Sequence, residues 1–411
     1  MKVVITNTVA FNAGDAAILF GAMKLIRQAI GDDAQFLLLD RYGKAPGKYF
    51  TDLNFDQFYI TPFEDRRDGR FTKLWKRFEI LRTRLRLPIM PAAARRNVSI
   101  FRDADLVVAT GGTYLVEHYN LDSSFLNLWL AINSGKPVCL FTQSLGPFNS
   151  ARNIEWLKRI IPRARLVLLR DERSQRHLRE VTDSNNTVVL SDAAFALSDL
   201  DRLEQARKRH FPGTSPKIVI SVRNWRFPGH SSPRDALAAY RECMRAVTEH
   251  LVRKYHATIT FASTCQGAPE YWTDDSAEAT LIAEGLPPDV ASRVTVDRSF
   301  RKPNEIIDFL ADMDLVISTR MHMAILALCA GTPVLPIAYE FKTEELFSGM
   351  NLGDWVQNIS AMSPADAVAL VDRYIGQLDE LRPHLVDATL KQRESAFTAV
   401  GHLRRVVDSK N

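Results

Sequence analysis

Arg320 and His322 stand two residues apart in LVISTRMHMAILALCAGTPVLPIAYEFK, the segment Leu315–Lys342. Such a pair can hold an anion and move a proton beside it. The apolar, β-branched run Leu315–Ile317 predicts a central strand. The stretch Met323–Cys329, closed by Gly331 and Pro333, predicts a buried helix, and Val334–Ile337 a second strand. The Arg and the His therefore fall in a strand-to-helix turn. Ligands of open α/β sheets gather outside the carboxyl ends of strands, and the unpaired N–H groups of a helix start add positive charge. A guanidinium there suits a carboxylate or phosphate, although an Arg at a strand end also serves as a structural ion pair and a His near a helix start as a cap.

Arg223 ends the run KIVISVR and is followed by Trp225 and Arg226 before a turn at Pro228–Gly229. Two arginines on two strands of one domain can bind both ends of a small dianion, each charge-assisted bond contributing about 1.5–3 kcal/mol. The competing reading pairs Arg223 with a nearby carboxylate. Asn12–Asp15 precede the first long helix, where Gly14 permits close backbone approach and Asp15 is placed to cap the helix. Gly111 and Gly112, after the strand ending at Ala109, read as a phosphate or sugar approach loop or as a tight turn.

The elements that must position these residues alternate. Strands are expected at Val3–Thr6, Phe36–Leu39, Leu106–Ala109, Val138–Thr142, Leu166–Leu169 and Val188–Leu190. A second series follows at Ile218–Val222, Thr258–Ala262, Leu315–Ser318 and Val334–Ala338, with helix-like stretches between. That alternation implies parallel sheets in an α/β protein. A charged stretch ending in FPGTSP divides the chain into domains 1–205 and 206–375, and the helical residues 376–411 are able to cross back to the first domain. The polar signatures follow the strands, so two facing sheets would aim them into one cleft. No P-loop or GxGxxG stands at a strand-to-helix turn, which removes nucleoside triphosphatases and ordinary dinucleotide enzymes.

A length of 411 residues suits two cores. An apolar content of 46% with 25% charged residues is that of a soluble globular protein, and a net charge of +5 is too mild to argue for nucleic acid. Cys139, Cys243, Cys265 and Cys329 lack metal spacing, which points to core thiols in a reducing compartment and to no metal site. With neither a signal-like start nor a spanning apolar run, the expected location is cytoplasmic. Between Arg66 and Arg96 there are eleven basic and two acidic residues, with apolar residues at helical spacing from Phe71 to Leu85. This basic amphipathic helix, near 71–86, can pack on the core or lie peripherally on the anionic inner face of a membrane.

The motifs NAGDAAI, GGTYL, QSLGPF, LRDERS, SDAAFAL, ISVRNW, ASTCQG and STRMHMAILALCAGTPVLPIAYEFK together resemble the polysaccharide pyruvyl transferase family, the colanic-acid type most closely. Two departures are the short Gly-Gly run before Thr113 and Ala193 where many relatives carry proline. The resemblance implies two Rossmann-like domains in a GT-B-like arrangement, acceptor side first and phosphoenolpyruvate side second. It also implies transfer of the pyruvyl group of phosphoenolpyruvate onto two hydroxyls of an exopolysaccharide or cell-wall sugar, which the basic helix suggests is lipid-linked. The product is a pyruvate ketal, phosphate is released, and no cofactor is required. By the same resemblance Arg320, His322 and Arg223 meet phosphoenolpyruvate, His322 as acid or base, while Asp15, Asp192 and Glu340 are carboxylates for the acceptor. A GT-B glycosyltransferase using a nucleotide sugar is the alternative, but its paired glutamates eight residues apart are missing: Ser348 follows Glu340 at that spacing and Thr332 precedes it. A third reading is a non-enzymatic sugar-lipid binding protein.

Overall fold

The computed structural model describes residues 1–57, 92–228 and 230–408, so the basic helix expected near 71–86 lies outside the described residues. The chain divides into two compact units. One comprises Met1–Ala10, Gly21–Ala193 and Ser395–Asn411, the other Phe11–Phe20 and Ala194–Glu394.

The first unit is built on a parallel sheet with β1 (Lys2–Thr8), β2 (Gln35–Asp40), β3 (Phe55–Gln57), β4 (Leu106–Ala109), β5 (Gly112–Leu115), β6 (Val138–Leu145), β7 (Leu166–Leu169) and β8 (Thr187–Val189). The strands lie in the order β3-β2-β1-β4-β6-β7-β8, with β5 beside β6. β4 and β6 are buried along their whole length, as strands covered on both faces must be; β4 is apolar throughout, whereas the second half of β6 carries Thr142, Gln143 and Ser144. The topology reverses between β1 and β4, where Val3 pairs with Leu106 and Thr6 with Ala109.

The second unit repeats the plan with β9 (Lys217–Ser221), β10 (Thr258–Phe261), β11 (Val294–Val296), β12 (Leu315–Ser318), β13 (Val334–Ala338) and β14 (Gln357–Asn358). Its six parallel strands run β11-β10-β9-β12-β13-β14, reversing between β9 and β12. The ten expected strands are all present, and the four the sequence did not signal are β3, β5, β11 and β14. Three of these are sheet edges and β5 lies off the main path; all are at most four residues long.

The second unit begins at Ala194, ahead of residue 206, because the helix Leu200–Arg207 packs there: Leu203 and Ala206 form a cluster with Val386. A Cβ on Gly331 would come within 2.4 Å of that of Ala206. The helix Pro364–Phe397 leaves this unit at its last turn. Chain membership in the first unit thus resumes at Ser395, where Ser191 N–H donates to Ser395 Oγ at 3.0 Å, and not at 376. Among the described residues no helix is long and apolar enough to cross a membrane, and no cluster of three or more His, Cys, Asp or Glu could hold a metal.

Candidate functional site

The reversal point of the second sheet carries both arginines. Ser221 at the end of β9 pairs with Ser318 at the end of β12, and Arg223 and Arg320 each stand two residues further on. Adjacent strands lie about 5 Å apart, so the two chains emerge side by side at the position where open α/β sheets bind ligands. Arg320 is the N-cap residue of the helix Met321–Ala330, and His322 lies in its first turn.

Arg320 is held by an ion pair. Its Nε and Nη2 donate to the two oxygens of Asp275 at 2.7 and 2.6 Å, with 13% of the Arg and 1% of the Asp side chain exposed. Burial opposes the guanidinium charge, and the Asp275 carboxylate more than restores it, holding its pKa well above the ordinary value. Asp275 also accepts from Ser263 Oγ. It opens the helix Asp275–Ala283, capped by Asp274. One turn on, buried Glu278 accepts from Arg241 Nε and Nη2 at 2.5 and 2.8 Å and from Asn224 Nδ2 at 3.1 Å. One face of this helix therefore supplies two buried carboxylates that fix the loops after β9 and β12. Neither carboxylate was singled out in the sequence; the available signal was acidic residues three apart at the start of an otherwise apolar helix. Cys265, in the same loop region, is buried, and burial pushes its thiol up to about 12, so it stays protonated beside Arg320.

Arg223 makes no ion pair among the described residues. Its guanidinium carbon lies 4.0 Å from the ring centre of Tyr339 and 4.8 Å from that of Trp225. Those rings are 4.6 Å apart, and its Nε is buried without a hydrogen-bond partner. Aromatic faces hold a cation without neutralising it. With Arg320 committed to Asp275, Arg223 keeps a charge that has no carboxylate partner among the described residues, and its unmet donor is available to an anion.

The helix Ala13–Ile30 starts against the same place, since Ala13 N–H donates to Thr264 O at 2.8 Å. The helix cap is Asn12, not Asp15: Asn12 Oδ1 accepts from Gly14 N–H and its Nδ2 donates to Asp15 Oδ2, both at 2.9 Å. Gly14 makes the expected close approach, and its neighbour is His322. A Cβ there would lie 2.7 Å from His322 Cβ and 3.0 Å from Cγ and Nδ1. Gly14→Ala should therefore displace the imidazole. Because a misplacement of about 1 Å in a site can cost 100-fold, turnover should fall at least about tenfold, while overpacking lowers stability by only about 1–3 kcal/mol; parallel kinetics and thermal melts check this.

Glu340 is the N-cap residue of the helix Phe341–Gly349 and pairs with Lys342 at 2.8 Å. Asn12, Gly14, Asp15, Arg223, Arg320, His322 and Glu340 thus all belong to the second unit, whereas Gly111, Gly112 and Asp192 belong to the first. There Gly111 and Gly112 lie at the β1/β4 reversal, with Gly112 at φ +136°, a value that favours glycine. Asp192 is 3% exposed and accepts from Arg170 Nη1 at 2.6 Å. Arg170 also donates to Ser144 Oγ and Thr113 Oγ1, each at 2.7 Å, so Asp192 is part of a buried network. Just after β4 and in the second half of β6, Thr110 Oγ1, Thr142 Oγ1 and Gln143 Oε1 are buried without partners among the described residues, as is Asn127 Oδ1. Water or sugar hydroxyls would satisfy them.

Residues 12–340 match the family described as polysaccharide pyruvyl transferase. The chain is 23% identical over 316 residues to the amylovoran biosynthesis protein AmsJ of Erwinia amylovora, covering 74% of this chain and 73% of that one. Among solved structures, MnaA of S. aureus with UDP superimposes with a TM-score of 0.59 at 11% identity, covering 99% of this chain and 97% of the other. Alr3699/HepE of Anabaena in complex with UDP gives 0.55 at 14% identity, covering 100% and 99%. Similarity at this level establishes a GT-B-like, two-domain α/β fold.

Proposed function

Because the chain belongs to the polysaccharide pyruvyl transferase family, we propose that this transferase takes its pyruvyl group from phosphoenolpyruvate and delivers it to two hydroxyls of one sugar as a ketal. The acceptor is a sugar of an exopolysaccharide or cell-wall precursor, carried on a lipid. One observation supports the donor above others: Arg223, without an ion pair among the described residues and with a buried, unmet Nε, emerges beside Arg320 at the reversal point of its sheet. A small dianion with phosphate at one end and carboxylate at the other suits two adjacent guanidiniums.

The chemistry balances without an external oxidant or reductant. One acceptor hydroxyl adds to C2 of phosphoenolpyruvate as a proton reaches C3, turning the methylene into a methyl group. The second hydroxyl then displaces phosphate from C2, and its proton leaves with the phosphate. His322, at the start of its helix, is the group for these proton transfers. Arg320 steadies the donor from its ion pair with Asp275, and Arg223 supplies the charge that draws it in. Asp15 and Glu340 border the same edge of the sheet.

Phosphate release tests the reading. With phosphoenolpyruvate and a lipid-linked oligosaccharide acceptor, phosphate should appear in step with acid-labile pyruvate on the sugar. Phosphate release without pyruvate on the sugar, or transfer only from a nucleotide sugar, would overturn it.

A further inference from the structure

Trp272 is 72% exposed, the most exposed of the large hydrophobic side chains among the described residues, yet it sits on a tightly fixed loop. Gly267 adopts φ +70° where a Cβ would come within 2.2 Å of Phe300 N. Tyr271 N–H donates to Ala268 O at 2.9 Å and Asp275 N–H to Cys265 O at 2.8 Å. Gln266 Nε2 donates to Ser299 O at 3.0 Å, and the Tyr271 ring lies 5.7 Å from the indole. A fixed backbone presenting a bare indole is preorganised for a ligand, because little ordering entropy remains to be lost.

The loop's position narrows the ligand. It follows β10, next to β9 in the sheet, and leads into the helix whose first residue is Asp275. Trp272 stands three positions before Asp275, whose carboxylate holds Arg320, a chain reach of at most about 11 Å. The loop thus emerges from the same carboxyl edge of the sheet as both arginines. An apolar ring face with polar surroundings fits a pyranose, whose axial C–H groups stack on an indole while its hydroxyls remain solvated.

We propose that Trp272 is the stacking platform for the acceptor sugar. This rests on the pyruvyl-transfer reading and adds to it the residue that recognises the pyranose ring. Stacking contributes to acceptor affinity and leaves the donor untouched, so the two can be read separately.

Saturation-transfer NMR on the full chain with methyl glucopyranoside, galactopyranoside and mannopyranoside should show transfer to ring protons of at least one glycoside. Affinity for it should fall about tenfold in Trp272→Ala and be largely kept in Trp272→Phe. Phosphoenolpyruvate titrations should be the same for all three proteins. Equal glycoside affinity in Trp272→Ala, or no saturable glycoside with the wild type, overturns the proposal. So does a variant that loses only its binding to phosphatidylglycerol vesicles, which would make the indole a membrane contact. Failure of the wild type to bind phosphoenolpyruvate while the glycoside pattern holds would count against the donor reading and leave the platform standing.

Discussion

His322→Ala should lower turnover about 100- to 10,000-fold, the range for loss of a positioned acid or base, while affinity for phosphoenolpyruvate changes only a few-fold. On the proposed reading the two effects separate because the anion is drawn by Arg223, whose charge has no carboxylate partner among the described residues, and not by the imidazole. His322 is held by the helix start around Gly14, where even a methyl group would collide with it. On the proposed reading it serves proton transfer and not donor binding. Calorimetry with phosphoenolpyruvate and initial rates of phosphate release, on the same preparations, measure both halves. A variant that keeps turnover within about threefold would remove His322 from the chemistry.

Asp275→Ala should destabilise the protein by about 3–5 kcal/mol, since removing one partner of a buried ion pair strands the other charge. Asp275 is 1% exposed, and its two oxygens take both donors that Arg320 directs at it. Arg320→Ala should cost a similar amount for the converse reason. The variant lacking both should be more stable than either single one, because no uncompensated charge then remains. Urea unfolding of the four proteins gives the coupling directly. Additive losses would mean that the pair contributes nothing as a pair and that Arg320 is held by its backbone alone.

The sequence and the structure agree where physics writes itself locally. β4, β6, β12 and β13 are buried throughout; β4 and β13 are wholly apolar, and β6 and β12 open on the apolar runs Val138–Phe141 and Leu315–Ile317, which composition reveals. The two arginines were legible because each stands three residues after the last isoleucine of a central strand, Ile220 or Ile317. The missing strands, such as Phe55–Gln57 and Val294–Val296, are short edges whose pairing depends on a neighbour already in place.

The site's supports were illegible for a different reason. Asp275 finds Arg320 forty-five residues away in the chain, and acidic residues at a helix start read first as caps. Gly14 was readable as a close approach but not as an approach to His322, more than three hundred positions later. That contact exists because Phe11–Phe20 cluster with the second unit although the flanking residues do not. Carboxylates singled out for an acceptor, Asp192 and Glu340, are engaged by Arg170 and Lys342, partners chosen by the fold and invisible in spacing.

Calorimetric titration of phosphoenolpyruvate into the wild type and Arg223→Ala, with a UDP-sugar titrated alongside, tests the central claim most directly. Phosphoenolpyruvate should bind saturably to the wild type and about 10- to 150-fold more weakly to the variant, equivalent to about 1.5–3 kcal/mol for one charge-assisted contact. Equal affinity in the two proteins, or binding of the UDP-sugar alone, would contradict it.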